Sequence, residues 1–470
     1  MAFLIGGANS AADTGYEVAN SCKWNKADDA YLSNTSHTSA GSQTKWTFSC
    51  WYKKCADVAS GNAHALFSHG KDGAEFDTLF INASEKLAFV SEKSGSTNLA
   101  STMVFRDYNA WYHIVCAVDT TQATAANRVK MYVNGSQITL STTTYPAEDQ
   151  TTWTGGVNNG DYPLKVGSYP YGGVYSPEGY LAEVVMINNQ QLTPTSFGEF
   201  NSDSPTIWQP IDVSTLTPGT NGFYLDFEDS GTLGNDIFGN GDFGNTNLAA
   251  TDQMTDTPTN NWAIWNSLVH SDIGFTEGNT IAVGTSDWGA TAATIALPNA
   301  GKWYYEIQVS SNSAYGIMGF MPYEEEMKTG TPDGDGDFIG LQTNDTLYNG
   351  GGYEENKYSH SVSANDIYMF AADITDNTAV DFYFGVNGTW FGSGDPANGS
   401  NPAVNNFNCS TKTWAPGVWF YDLNALTNFG NPSFSISSGN ADGDGYGNFE
   451  YAVPSGFFAL NSKNVGEYGG

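Results

Sequence analysis

Basic residues are what this chain has least of. Lys and Arg together number 17 in 470 residues against 50 Asp and Glu, a formal net charge of −33. Such a surface repels phosphate backbones and anionic bilayers, which argues against nucleic acid and membrane surfaces as partners. Disorder is another reading of high negative charge, but 27 Phe, 26 Tyr and 13 Trp speak against it. The charge then reads as solubility and self-repulsion of a folded surface, with divalent cation capture as the functional alternative. Five cysteines (Cys22, Cys50, Cys55, Cys116 and Cys409) form no CxxC pair and no zinc spacing. They predict buried, reduced thiols, as in a protein assembled in cytoplasm, a Cys50–Cys55 bridge being the one pairing to test. No window is long and apolar enough to span a bilayer. The opening MAFLIGGANSAADTGYEV lacks the basic and apolar regions of a signal peptide, so a soluble chain not exported by the general route is expected. Heptads are absent, which removes a coiled-coil stalk.

What is present is turn chemistry. Gly, Asn, Ser and Thr punctuate short alternating segments, an all-β pattern. Lys45-Trp-Thr-Phe-Ser-Cys-Trp-Tyr-Lys53 places Trp46, Phe48, Cys50 and Tyr52 on one face. Trp111–Asp119 reads as a largely buried strand, and Arg128–Gly135 alternates and turns at Asn134-Gly135. Leu164–Gly167 and Gly179–Asn188 follow, and the one helix signal is Thr193-Pro194 through Phe200. Later, Gly301–Val309 points Trp303, Tyr305, Ile307 and Val309 one way. Tyr315–Met321, Asp337–Leu341, Asn365–Ile374, Val380–Phe391 (turning at Asn387-Gly388), Trp414–Tyr421 and Pro432–Ile436 complete a second set. Between the sets, Asn221–Asn261 begins as a strand and then loses any period of 2 or 3.6. The expected organisation is two antiparallel β-sandwiches, residues 1–220 and 262–470, joined by an irregular connector at 221–261. Phe223–Phe227 is expected to finish or flank the first sandwich.

The segments WTFSCWYK, WYHIVCAVD, VKMYVNGSQI, LKVGSY and GYLAEVVMIN resemble the laminin-G-like branch of the concanavalin A-type lectin/glucanase fold. The order GKWYYEI, GIMGF, NDIYMFAADI, VDFYFGVNGTW, WAPGVWF, PSFSI resembles a SPRY-type sandwich, through Gly301, Lys302, Tyr304, Glu306, Asp381, Val386, Asn387 and Gly388. That second resemblance implies peptide or protein binding and no catalysis. The connector, with the ending SGNADGDGYGNFEYAVPSGFFALNSKNVGEYGG, is similar to those of marine, cyanophage-like tailed-phage virion structural proteins. It implies a virion location and, as partners, other tail or capsid proteins, further copies of the chain and host-surface polysaccharide.

A glucanase of this fold needs two carboxylates flanking one glycosidic bond, spaced along one strand face. Glu75 and Asp77 begin such a pattern, but Leu79 and Phe80 stand where the last acid belongs. His37, His64, His69, His113, His270 and His360 are scattered and accompany no nucleophile elbow. No enzyme is therefore expected, and a polysaccharide-active enzyme built on Glu75 and Asp77 is the alternative. The loop containing Tyr169, Tyr171, Tyr175 and Tyr180 offers rings for stacking on sugars or anchoring a subunit, or simply packs on its own sandwich. Asp333, Asp335 and Asp337, and Asp442, Asp444, Asn448 and Glu450, space oxygens as calcium requires, although Asp-Gly repeats are also ordinary turns. The sequons at Asn34, Asn82, Asn134, Asn387 and Asn398 read as turns.

Overall fold

The alternating segments form strands whose residues sort onto two faces, except Pro432–Ile436, which is irregular. The computed structural model describes residues 15–470 except 38, 59–61, 73, 159–160, 171–174, 312–314 and 324–337. Asp333, Asp335, Asp337 and Tyr171 lie outside the described residues. The chain divides into two compact units, one ending at Thr259 and one running from Asn260 to Gly470.

Two eight-stranded antiparallel sheets make the first unit. One runs Ser136–Gln137, Val129–Val133, Trp111–Asp119, Lys45–Lys54, Gly179–Asn188, Ser21–Trp24, Gln253–Met254, with Phe223–Leu225 also on Gly179–Asn188. The other runs Leu140–Thr144, Ser96–Ser101, Leu87–Glu92, Glu75–Asn82, Ala63–Asp72, Leu164–Val166, Tyr31–Asn34, Gly244–Thr246. Trp46, Phe48, Cys50 and Tyr52 are all buried between them, and Trp46 meets Phe67 and Phe89 edge-on at 5.7 and 5.6 Å. The outer side of the first sheet is buried too, Val115, Val185 and Ile187 lying under Phe197, Val213 and Tyr224. The expected helix shortens to a single 3-10 turn, Pro194–Ser196, because the strand Gly198–Phe200 follows at once. Asn134 turns its hairpin with φ +46°, and its side-chain oxygen accepts from the His113 N–H at 2.8 Å. All five cysteines are free and buried, Cys50 and Cys55 included, so the tested bridge is not formed.

The irregular segment after residue 220 folds into this same unit. Phe223–Leu225 pairs with Val184–Met186, Gly244–Thr246 with Tyr31–Ser33, and Gln253–Met254 with Ser21–Cys22. Phe223, Leu225, Phe227, Leu233, Phe243 and Leu248 all enter the main core. The Asp256 carboxylate then binds the Lys53 ammonium at 2.7 Å with both side chains fully buried, and Trp111 Nε1–H donates to it at 3.0 Å.

The second unit has a seven-stranded and a nine-stranded sheet. Trp303, Tyr305, Ile307 and Val309 face the core from Lys302–Val309, Tyr305 stacking on Phe370 at 4.7 Å. Glu306 points the other way and is fully buried. Its carboxylate accepts from the N–H groups of Glu450 (3.0 Å) and Tyr451 (2.8 Å), from Tyr304 O–H (2.9 Å) and from Asn428 Nδ2 (3.1 Å). The Glu of the G-K-x-Y-x-E pattern thus clasps the loop-rich segment before the closing helix Ser462–Tyr468. Asn387 repeats the turn of Asn134, with φ +46° and its side-chain oxygen on Ile367 N–H.

Candidate functional site

Along the strand Glu75–Asn82, residues 75, 77, 79 and 81 have the parity of the core, and residues 76, 78 and 80 that of the outer face. Leu79 and Ile81 are core residues accordingly, while Phe76 and Phe80 stand half-buried on the outside. Tyr169 lies against both, with centroids 5.6 Å from Phe76 and 6.0 Å from Phe80, and Tyr175 packs on Tyr169 at 4.4 Å. The loop carrying these tyrosines is fastened to the strand Ala63–Asp72. Gly167 N–H donates to Leu66 O (3.1 Å), Ser68 Oγ to Ser168 O (2.6 Å), and Ala65 N–H to Tyr175 O (2.9 Å). Gly167 has φ +80°, and a Cβ there would lie 2.3 Å from Trp24 Nε1, so glycine alone lets the chain turn over the sheet. Beyond Gly167, Lys165 lies over the Tyr31 ring at 4.2 Å, and burial holds its pKa below the usual range. The result is four half-buried rings, with polar backbone beside them, on one outer sheet face.

Tyr169 and Tyr175 therefore belong to one ring cluster, and Tyr180 does not. Tyr180 is fully buried, against Trp111 at 6.3 Å and under the Lys53 ammonium at 5.7 Å. The strand begins at Gly179, which turns the Tyr180 ring into the structure and leaves it no face to offer a ligand. In the sequence Phe80 reads only as the missing acid of an acidic pattern and Phe76 as the free position within it, so neither reads as a ring for a ligand.

The acidic pattern itself comes apart. Glu75 is exposed, whereas Asp77 is fully buried, accepting from Ser91 Oγ (2.6 Å) and Thr154 N–H (2.6 Å). Burial pushes its pKa up to about 6 despite those bonds. A carboxylate sealed this way cannot flank a glycosidic bond beside Glu75. Burial also pushes the His64, His69 and His113 pKa values down to about 3, so all three are neutral. Trp208 Nε1–H donates to His113 Nδ1 at 2.9 Å, which leaves the ring proton on Nε2, facing Ser49 Oγ at 2.8 Å. His113 is then a donor to Ser49 and cannot take its proton.

The second acidic loop is occupied by the protein's own donors. Asp442 is buried and accepts from the N–H groups of Asp444, Tyr446 and Ala459 and from Asn464 Nδ2, at 2.8–3.0 Å. Glu450 accepts from Ser437 N–H and Oγ. A calcium ion would have to compete with these bonds at Asp442 and Glu450, two of the four expected oxygen ligands, the others being Asp444 and Asn448. Among the described residues no three His, Cys, Asp or Glu side chains gather to hold a metal ion.

One further ionisable group is unusual. The register between Gly179–Asn188 and Lys45–Lys54 shifts between Ala182 and Val185, and in that bulge Glu183 adopts φ +50°. Its buried carboxyl accepts from Tyr16 O–H (3.1 Å) and Tyr224 O–H (2.9 Å), and burial pushes its pKa up to about 8.

Residues 25–196 match the family described as the concanavalin A-like lectin/glucanases superfamily. No curated protein matches the chain. Solved structures similar to it include mouse laminin α1 domains LG4-5 (11% identity, 88% of this chain and 85% of that one, TM-score 0.29). The SPRY domain of human HERC1 matches at 13% identity over 35% of this chain and 96% of its own, with TM-score 0.26. A putative carbohydrate binding protein of Bacteroides ovatus matches at 13% identity over 49% of this chain and 58% of its own, with TM-score 0.32.

Proposed function

We propose that the first unit binds a host-surface polysaccharide through the face bearing Phe76, Phe80, Tyr169 and Tyr175, without cleaving it. We place the protein on the surface of a marine tailed-phage virion, as a tail fibre, tail knob or capsid appendage seated against other virion subunits and further copies of itself. The observation that carries the glycan reading is the ring cluster. Aromatic faces next to polar backbone match the apolar faces and hydroxyl rims of sugar rings. The burial of Asp77 supports binding without hydrolysis. The virion reading is supported by the connector and the closing segment, and by a surface charge poorly suited to nucleic acid. An architectural decoration that binds no glycan is the competing role.

Titration of bacterial-surface polysaccharides against wild type and Tyr169→Ala tests the site. A loss of about fivefold in affinity is expected, since stacking contributes about 1 kcal/mol, with the variant still folded at the titration temperature although its melting temperature falls. Equal affinities would remove the ring cluster from the site. Released reducing ends would overturn the non-enzymatic reading, and absence from purified particles by mass spectrometry would overturn the virion location.

A further inference from the structure

At one end of the second unit three neighbouring strands finish on the same rung. Gly289 and Gly316 both pair with Phe420, on Gly289–Ala293, Gly316–Pro322 and Trp414–Phe420. The residue just beyond each is aromatic, namely Trp288, Tyr315 and Tyr421, and Tyr421 N–H donates to Tyr315 O at 2.8 Å. Their ring centroids form a triangle with sides of 6.3, 6.0 and 5.8 Å. Trp288 and Tyr421 are half-buried, while Tyr315 is 54% exposed.

Three aspartates belong to the backbone that adjoins this triangle. Asp287 precedes Trp288, Asp422 follows Tyr421, and Thr285 draws Asp272 to the same place. Thr285 O accepts from Asp422 N–H, while Thr285 Oγ1 donates to Asp272 O (3.1 Å) and to Asp287 O (3.3 Å). All three aspartates are exposed. Residues 260–470 contain no arginine. The ion pairs and cation–ring contacts seen among the described residues of this unit lie elsewhere, at Lys302 with Asp373 and over Phe457, Lys357 with Glu354, His360 with Asp366, and Lys463 over Tyr446. The three carboxylates form no metal cluster either.

We infer that this end of the second unit receives the cationic side chain of a lysine or arginine from a partner protein. Ring faces carry negative electrostatic potential, so an alkylammonium or guanidinium over Tyr315 is held by the rings while exposed aspartates on the adjoining backbone give this end complementary charge. A neutral sugar would also stack on these rings and hydrogen-bond aspartates through its hydroxyls, but it carries no charge and its binding would not weaken with salt. The inference does not depend on glycan binding by the first unit.

Fluorescently labelled Gly-Ser peptides carrying three lysines, three arginines or three norleucines, titrated against the full chain at about 25 mM and about 150 mM salt, test it. The lysine and arginine peptides are expected to bind, more weakly at the higher salt, and the norleucine peptide not to bind. Tyr315→Ala and the double variant Asp287→Asn/Asp422→Asn should each weaken binding about fivefold to tenfold, and Tyr315→Phe should retain it. Diffuse attraction to a chain of charge −33 would be the same for wild type and all variants, and that result overturns the site. Equal binding of the norleucine peptide, or displacement by laminarin oligosaccharides, would overturn the cationic assignment.

Discussion

In the first unit Asp256 fastens the segment after residue 220 to its sheet, and in the second Glu306 does the same for the segment before the closing helix. Both carboxylates are fully buried, but their charges are met differently. Asp256 has the ammonium of Lys53 at 2.7 Å, whereas Glu306 has neutral donors, two of them backbone N–H groups. A buried ion pair is fragile to loss of either member, because the survivor is left charged in a medium of low polarity. A carboxylate held by dipoles depends instead on the backbone staying where it is. The first clasp therefore fixes where the segment attaches, and the second fixes its local conformation.

Four substitutions sharpen that contrast, from the largest expected effect to the smallest. Lys53→Met should destabilise the first unit by about 3–5 kcal/mol in urea unfolding, and Lys53→Met/Asp256→Leu should recover most of the loss. A single-variant cost below about 1 kcal/mol would break the comparison at its first term. Glu306→Gln presents an amide N–H to backbone donors and should cost about 2–3 kcal/mol in the second unit. Hydrogen exchange should rise first at Glu450 and Tyr451, and uniform protection there would contradict the clasp.

The third substitution concerns pH. Glu183 binds its proton up to about pH 8 in the folded protein against an ordinary value of 4.5. Between those values the folded state keeps a proton that the unfolded chain has released, so stability falls as pH rises from about 4.5 to about 8 and then levels. Glu183→Gln should flatten the resulting fall in the first unit's melting temperature between pH 5 and pH 8. Identical slopes would show that the carboxyl is not held protonated. Last, Asp444→Asn should leave the melting response to added calcium the same as wild type, and a calcium-induced rise lost in the variant would restore that loop as a cation site.

Strands were legible where alternation ran for seven residues, as from Trp46 to Tyr52 and from Trp303 to Val309, whereas the five-residue alternation Pro432–Ile436 forms none. Hairpin turns at Asn134 and Asn387 were legible for a local reason, since Asn-Gly accepts positive φ cheaply. The segment after residue 220 read as a seam because its core residues are single anchors. Phe227, Leu233, Phe243 and Leu248 fit no period, and only the surrounding sandwich makes them inward. Half of the ring cluster was legible, as Tyr169 and Tyr175 in a turn-rich loop. Phe76 and Phe80 needed the sheet to be folded before their shared face existed. Tyr180 lies within the expected strand Gly179–Asn188, and its burial was not legible because both faces of that strand are covered.

The two short strands Gly244–Thr246 and Gln253–Met254 each complete a different sheet of the first sandwich, beside Tyr31–Asn34 and Ser21–Trp24. Roughly 230 residues separate Cys22 from its finishing neighbour Gln253. At about 5–20 residues per second, a ribosome needs on the order of ten to fifty seconds to make them. Throughout that interval the two earliest strands of the nascent chain present unpaired backbone to any other chain being made nearby. The irregular segment is thus the step that ends the sandwich's exposure during synthesis, and its timing governs how much newly made protein reaches the folded state.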